Sequence, residues 1–476
     1  MKRAKIYTLS AALCLLNTSM AQDVSFRSSD KKLESTFGWA KEMALSYAHH
    51  EGDAVGPWYE AALPGRDAFC MRDASHQSIP AEMLGLSRHN FNMMKRFAMY
   101  MDAGRDYCTF WEINKMGKAC PNDYKDDTNF WYNLNGNFDV LYACWRLYEW
   151  TGDKRYLKDQ ELAKFYKTSV NEYAERWQLG PNQILARPLN LNNKPETTGR
   201  YRFTRGLPSY VENRAGLNAS SDLVATAYAG YKAYADMMKA VGQEKDGKAY
   251  RNTAEKYRAL LENEWWNEAD NTYYALHSAK GEFIKRGEQT YILWFGIAQN
   301  KERISKTAKQ MMASKQWNAE NISYFPTLWY RYGYADEAYK VLTAVPSMHR
   351  KEYPEVSYGM IEGIVSGTMG IMPSASENRV TTLPQLPAGD EWAELKNLKM
   401  LGGSVDVKHE GNKKSSFTNH TESILEWKAA FHGEEGIRVA GKKKRHKTDT
   451  DVMGKSVSYV IVKVKPGTTA TAVMGD

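Results

Sequence analysis

From Thr36 to Tyr47 the apolar residues fall at Phe37, Ala40, Met43, Ala44 and Tyr47, the spacing of one helix face. The same period returns near 76–87, 89–103, 136–151, 159–177, 218–242 and 246–266. Shorter segments with it follow at 288–299, 301–314, 327–332, 335–344 and 357–367. Two kinds of connection join them: short turns, and long polar stretches over 51–75, 105–135 and 180–217. After residue 370 the period drops to two. Arg379 to Leu383, Leu398 to Leu401, Ser404 to Lys408, Ile424 to Phe431 and Ser456 to Val464 then read as strands. The pattern therefore predicts a polar arm over 22–34, a helical body over 22–374 and a small antiparallel β domain over 375–476. Paired helices joined alternately by short turns and long loops suit an αα-barrel, whose loops at one end form a cleft. No repeat of fixed length marks a solenoid.

The chain begins with basic Met1-Lys2-Arg3-Ala4-Lys5, an apolar run from Ile6 to Leu16, and Ser19-Met20-Ala21. This reads as an export signal over 1–21, cleaved after Ala21, which places the protein in the periplasm or outside the cell. No later run is apolar enough to predict a transmembrane segment. The formal charge is +8, and the run 442–447 holds five of the Lys and Arg residues. Its simplest reading is a solvated hairpin turn, and an exported chain gives no reason to expect nucleic acid as partner. Cys70, Cys108, Cys120 and Cys144 have no C-x-x-C spacing, and their pairing stays open between bridges and free thiols. Aromatic residues make up 12% of the chain, with Tyr twice as frequent as Phe, as sugar-binding clefts and Tyr-tolerant cores both require.

Three passages carry a resemblance. Residues 64–77, PGRDAFCMRDASHQ, are similar to the Arg-Asp substrate loop of the six-hairpin, (α/α)6-barrel glycoside hydrolases of glucoamylase, trehalase, debranching-enzyme and rhamnosidase type. Residues 214–238 with 265–274 resemble the central helix pair of that class, and 353–392 its last barrel helix running into a β cap. The resemblance implies a mainly α fold, an (α/α)6 toroid with a small C-terminal antiparallel β domain, and a glycoside hydrolase. The E-S-G-W-D run of trehalases and the R-D-E-R-x-G-W pattern of rhamnosidases are absent, so the sugar stays open.

Glycosidic cleavage needs one carboxylic acid for the leaving oxygen and a second carboxylate for water or the sugar. Glu212, in PSYVENRAG before the central helix, is the expected general acid, with Asp222 as competitor. Glu355, before the last barrel helix, is the expected base, and Glu362 is second choice. Inversion and an exo-acting pocket are favoured by the resemblance. Arg72 with Asp73 is expected to grip sugar hydroxyls, Arg66 with Asp67 to form a second such pair, and His76 with Gln77 to follow them. Trp58, Trp131, Tyr210 and Trp329 are candidate stacking surfaces, and Asn135 a neutral hydrogen-bonding group. Arg200, Arg202, Arg205 and Arg214 suit an anionic sugar, or else neutralise Glu212. With no H-E-x-x-H site, phosphate loop or dinucleotide fingerprint, a reaction without cofactor or metal fits best. Two alternatives stay open: a uronate-directed lyase or unsaturated-uronide hydrolase on the same barrel, and a glycan-binding protein without turnover.

Overall fold

The computed structural model describes residues 23–212, 214–285, 289–314, 317–349 and 351–475. The export signal expected over 1–21 lies outside them. Among the described residues, short three- and four-residue helices aside, twelve helices build the body: α1 (Lys31–Ser46), α2 (Met71–Met83), α3 (Ser87–Met99), α4 (Gly136–Thr151), α5 (Gln160–Thr168), α6 (Ser221–Ala240), α7 (Glu244–Glu264), α8 (Thr290–Trp294), α9 (Lys301–Ala313), α10 (Ala319–Arg331), α11 (Ala335–Ala344) and α12 (Pro354–Glu362). The even-numbered helices close a ring, each packing on the next and α12 returning to α2. The odd-numbered helices lie outside, α7 against α6, α3 against α2 and α5, and α1 against α12 and α11. This is the (α/α)6 toroid.

Burial follows the two layers. Outer helix α1 buries one stripe, Leu33, Thr36, Phe37, Ala40 and Ala44, and starts where Asp30 accepts from the Lys32 and Leu33 N–H groups at 2.8 and 3.1 Å. Inner helix α2 is buried everywhere except at Arg72 and Asp73, and α12 along its whole length. Helices covered on all sides show no polar stripe, so periodicity misplaces their ends. The segments expected at 288–299, 327–332 and 357–367 are Thr290–Trp294, Ala319–Arg331 and Pro354–Glu362, the last running on through a wide turn over Gly363–Thr368.

The contact between α10 and α12 is made possible by glycine at every fourth position. A Cβ on Gly359 would lie 2.2 Å from the Ser323 carbonyl oxygen, on Gly363 2.4 Å from Pro326, and on Gly367 2.2 Å from Tyr330. No side chain fits there.

The polar arm expected over 22–34 is partly β1 (Ser25–Ser28) and then the start of α1. Between the helices, β2 (Ala68–Cys70) pairs with β3 (Glu112–Asn114). The C-terminal strands are β4 (Met372–Ser374), β5 (Arg379–Thr382), β6 (Trp392–Met400), β7 (Gly403–Glu410), β8 (Lys414–Asn419), β9 (Leu425–His432), β10 (Ile437–Val439), β11 (Lys442–Lys444), β12 (Lys447–Thr450), β13 (Ser456–Val464) and β14 (Thr469–Met474). They form two sheets, ordered β1-β6-β7-β8-β14-β10-β11 and β4-β5-β9-β13-β12. β1 enters the first sheet with Phe26 opposite Leu395, so the N-terminal segment completes the C-terminal domain. Pairing is antiparallel except between β5 and β9. Phe417 of one sheet stacks on Trp427 of the other, ring centroids 5.6 Å apart. The basic run forms exposed edge strands at β11 and β12, not a bare turn. Cys70, Cys108, Cys120 and Cys144 are buried free thiols. Among the described residues no helix is long and apolar enough to cross a membrane.

Replacing Gly363 with Ala should lower stability by about 1–3 kcal/mol, because Pro326 leaves no room for the methyl. Gly38, exposed on α1 with nothing within 4 Å of where a Cβ would lie, is the control. There Ala should be neutral or stabilising by up to about 1 kcal/mol. Denaturant unfolding of both variants checks the pair, and equal losses would show that the helix contact is not the cause.

Candidate active site

The first turns of α2, α10 and α12 point into one cavity of about 520 Å³ at one end of the ring. They bring Arg72 and Asp73, Glu320, and Glu355. The loop entering α6 adds Glu212, β3 adds Glu112, and the 105–135 loop adds Trp111, Asp123 and Trp131. Arg66 and Arg200 complete the charged lining. Asn318 starts α10 by accepting from the Asn321 N–H at 2.8 Å, which sets Glu320 at the second helical position. Glu355 holds the same position on α12, after Pro354. Carboxylates there gain from the positive end of the helix dipole.

Arg72 is the hub. Its Nε lies 2.9 Å from Glu320 and 3.4 Å from Asp73, its Nη1 lies 3.9 Å from Glu212, and its guanidinium sits 5.0 Å over the Tyr210 ring. Tyr291 donates its hydroxyl to the same Glu320 oxygen. Burial raises Asp73 to about 6, against the pull of Arg72. Burial also raises Glu212, again opposed by Arg72. Glu355, 5% exposed, is pushed well above the usual carboxylate range by burial and by the nearby charge of Asp73. Its Oε2 has no hydrogen-bond partner among the described residues. Gln77 holds the backbone at that point: its amide, oriented by its neighbours, donates to the Glu60 carbonyl and accepts from the Glu355 N–H, each at 3.1 Å.

A second charged group lies across the cavity. Arg66 Nη1 donates to Glu112 at 2.7 Å and approaches Asp123 at 3.4 Å. Burial, and then the neighbouring Asp123 carboxylate, raise Glu112 to about 8. Glu112 is 1% exposed and its Oε1 has no partner among the described residues. Crowding against a second carboxylate favours the protonated form of Glu112.

The cavity thus joins Arg66, Arg72, Asp73, Trp131, Glu212 and Glu355. Other expected site residues lie elsewhere. Asp67 turns to Lys115 at 2.6 Å, so Arg66 and Asp67 are not a pair. His76 is buried behind the wall, stacked on Tyr324 at 3.6 Å and bonded to Ser323 at 2.9 Å. Asp222 is buried and does not line the cavity; the Ser209 and Ser220 hydroxyls, the Tyr210 N–H and the Asn135 amide all donate to it. It ties the Glu212 loop to α6, with Asn135 as part of that knot. Tyr210 reaches the site through Arg72, not as an open stacking face. Trp58, bonded to Asp53 at 2.7 Å, and Trp329, packed on Phe325, are fully buried core. Arg214 is exposed, and Glu212 pairs with Arg72 instead. Arg205 is buried against Asp106, and Arg202 bonds the Thr197 carbonyl at 2.9 Å. Glu362 lies at the far end of α12, paired with Arg146.

Sequence reasoning missed Glu320, Glu112 and Asp123. Glu320 had a usable signal, the Asn318 cap followed by an acidic second position, as at Asp222 after Ser220. Glu112 and Asp123 had none: Glu112 is placed by pairing with Cys70, and Asp123 by a turn whose Cys120 N–H bonds the Glu112 carbonyl.

Residues 138–333 match the family model of the mannosylglycerate hydrolase MGH1-like glycoside hydrolase domain. The match runs from α4 past α10 and holds Glu212 and Glu320, but not Asp73 or Glu355. No curated protein matches. Solved structures similar to this chain include an α-L-rhamnosidase from Dictyoglumus thermophilum, with TM-score 0.63, 13% identity, and 95% of this chain and 50% of that one covered. A GH78 family rhamnosidase of Bacillus sp. GL1 gives 0.57 at 12%, covering 84% and 40%. An α-L-rhamnosidase from Aspergillus terreus gives 0.54 at 11%, covering 94% and 51%. These likenesses show the fold, the six-hairpin glycosidase toroid. The chain spans about half the length of these solved proteins or less.

The raised carboxyls set the pH dependence of stability. Asp73, Glu112 and Asp222 have folded values of about 6, about 8 and about 6, above ordinary values of 3.8, 4.5 and 3.8. The folded state therefore binds more protons, and their stabilising contribution, complete below the ordinary values, is lost as pH rises through the folded ones. Denaturant unfolding should show stability falling from about pH 4.5 to about pH 8, and Glu112→Gln should flatten the upper part of that fall. An unchanged slope in the variant would mean that Glu112 is ionised throughout.

Proposed function

We propose that this chain is an exported, exo-acting glycoside hydrolase that removes a terminal sugar by acid/base catalysis. The observation that carries the reading is one cavity holding Glu212 and Glu355 together with the Arg72–Asp73 pair. The family match over residues 138–333 supports the reaction class.

Position divides the two roles. Glu212, on a loop with its side chain 31% exposed, stands where a leaving group can depart, and burial helps it keep the proton it must donate. Glu355 lies deep, and its bare Oε2 can take a proton from water. Burial disfavours its charge, so the form that serves as base is the ionised one, a stronger base than a solvated carboxylate. Asp73 accepts from sugar hydroxyls while Arg72 holds it, and Trp111 and Trp131 offer faces to the ring. The Arg66–Glu112–Asp123 group would meet the next sugar.

One observation favours a second reading. Arg200 lines the cavity, is exposed, and makes no ion pair among the described residues, so it suits a uronate. A lyase would also need a base, and neither His76 nor Tyr210 lines the cavity.

A screen of α- and β-linked glycans, uronides included, tests both. Glu212→Gln and Glu355→Gln should each lower kcat by about 100- to 10,000-fold with sugar binding retained. Asp73→Asn should weaken binding as well. Product anomers followed by NMR report inversion, the outcome expected here. Full activity in both Gln variants would sink the assignment, and an unsaturated product absorbing in the ultraviolet would establish the lyase.

A further inference from the structure

The ring has a second end. The C-terminal halves of α2, α4, α6, α10 and α12 and the sheet containing β4, β5, β9, β12 and β13 enclose another cavity, of about 540 Å³. Glu355 and Glu362 bound the distance between the two cavities: seven residues of one helix, about 10 Å of rise. None of the residues lining the first cavity lines the second.

Glu362 is the unusual feature there. It is 2% exposed, and its Oε1 accepts from Arg146 Nη2. Its Oε2 has no hydrogen-bond partner among the described residues. A bare carboxylate oxygen at that depth is costly unless a donor reaches it. Arg146 is itself fixed by rings, 4.9 Å over Trp294 and 5.8 Å over Tyr142. The half-buried Trp145 lines the same space. A carboxylate with a free lone pair, a guanidinium held beside it and an indole at the wall are the groups that bind a hydroxylated ring with one apolar face. The lining holds four acidic and four basic side chains, so no net charge selects an ion.

We infer that this cavity is a second binding site, separate from the first, for a neutral mono- or disaccharide. Hydroxyls of the sugar donate to Glu362 Oε2, and its apolar face lies on Trp145. The site needs no turnover, and it stands whether or not the first cavity hydrolyses glycosides.

The test is calorimetric titration of the full chain with glucose, mannose, rhamnose, maltose and cellobiose as probes. At least one sugar should bind in Asp73→Asn, where the first cavity is impaired, and that binding should disappear in Asp73→Asn combined with Trp145→Ala. Glu362→Gln keeps the side-chain volume and should weaken the same event about tenfold, which provides a second readout if Trp145→Ala lowers the melting temperature sharply. Failure of the glycan-cleavage assay with this binding intact would overturn the proposed hydrolysis alone. The second site is overturned if no sugar of the panel binds Asp73→Asn, or if binding there is indifferent to Glu362→Gln and Trp145→Ala.

Discussion

The site depends on one guanidinium. Arg72 touches Asp73 on its own helix, Glu320 on α10 and Glu212 on the loop before α6, and lies over Tyr210. Three carboxylates gathered from three parts of the chain would repel one another in a space largely closed to water. A fork of donors with permanent charge lets them stay close. The attraction is opposed by desolvation, and the result is a balance: burial raises Asp73 to about 6 against the pull of Arg72, and burial with the charge of Asp73 raises Glu355. A lysine could supply the charge at that position but not the several directions at once.

Backbone packing delivers the groups to Arg72. Gly359 follows Glu355 by about one helical turn, and Ser323 follows Glu320 by nearly one. The contact that admits no side chain at Gly359 is with the Ser323 carbonyl, so the closest approach of α10 and α12 lies just beneath the two acids. Ser323 donates to the Glu320 carbonyl and meets His76 of α2 at 2.9 Å, so a third inner helix is tied to the same level. Burial depresses His76 well below its usual pKa, and it stays neutral there. His76 and Gln77 thus act behind the wall, fixing the segments that carry Glu320 and Glu355.

The fold was legible because hairpin pairing and the change of period after residue 370 are both written in the apolar pattern. The site was half legible for the same reason. Loop positions and helix starts can be located, so Asp73, Glu212 and Glu355 stood out. Which acids meet across the cavity is decided by the ring's closure and by register. Cys70 faces Glu112 in the β2–β3 pair, and nothing near Glu112 in sequence announces that. Aromatic type was the least reliable guide. Trp58 and Trp131 both sit in polar loops, yet one bonds Asp53 inside the core and the other lines the cavity. Asp222 was attractive because it starts the central helix, and that place is also why four donors could converge on it and hold it outside the cavity lining.

The two ends of the ring differ electrostatically for a reason built into the topology. Inner helices alternate with outer ones, so the inner helices run the same way, with the first turns of α2, α10 and α12 at one cavity and later turns of α2, α4, α10 and α12 at the other. The first end is positive by its unpaired N–H groups and can hold more acids than cations, six carboxylates against three arginines. The second end is negative, and its acidic and basic side chains are equal in number. At that end Glu362 persists with Arg146 on one oxygen, whereas Glu355, on the same helix, makes no ion pair among the described residues and feels Arg72 only at a distance. The helix N-termini offset part of the cost of burying Asp73, Glu320 and Glu355, so the cavity at the first turns is the one that can hold the excess of acids.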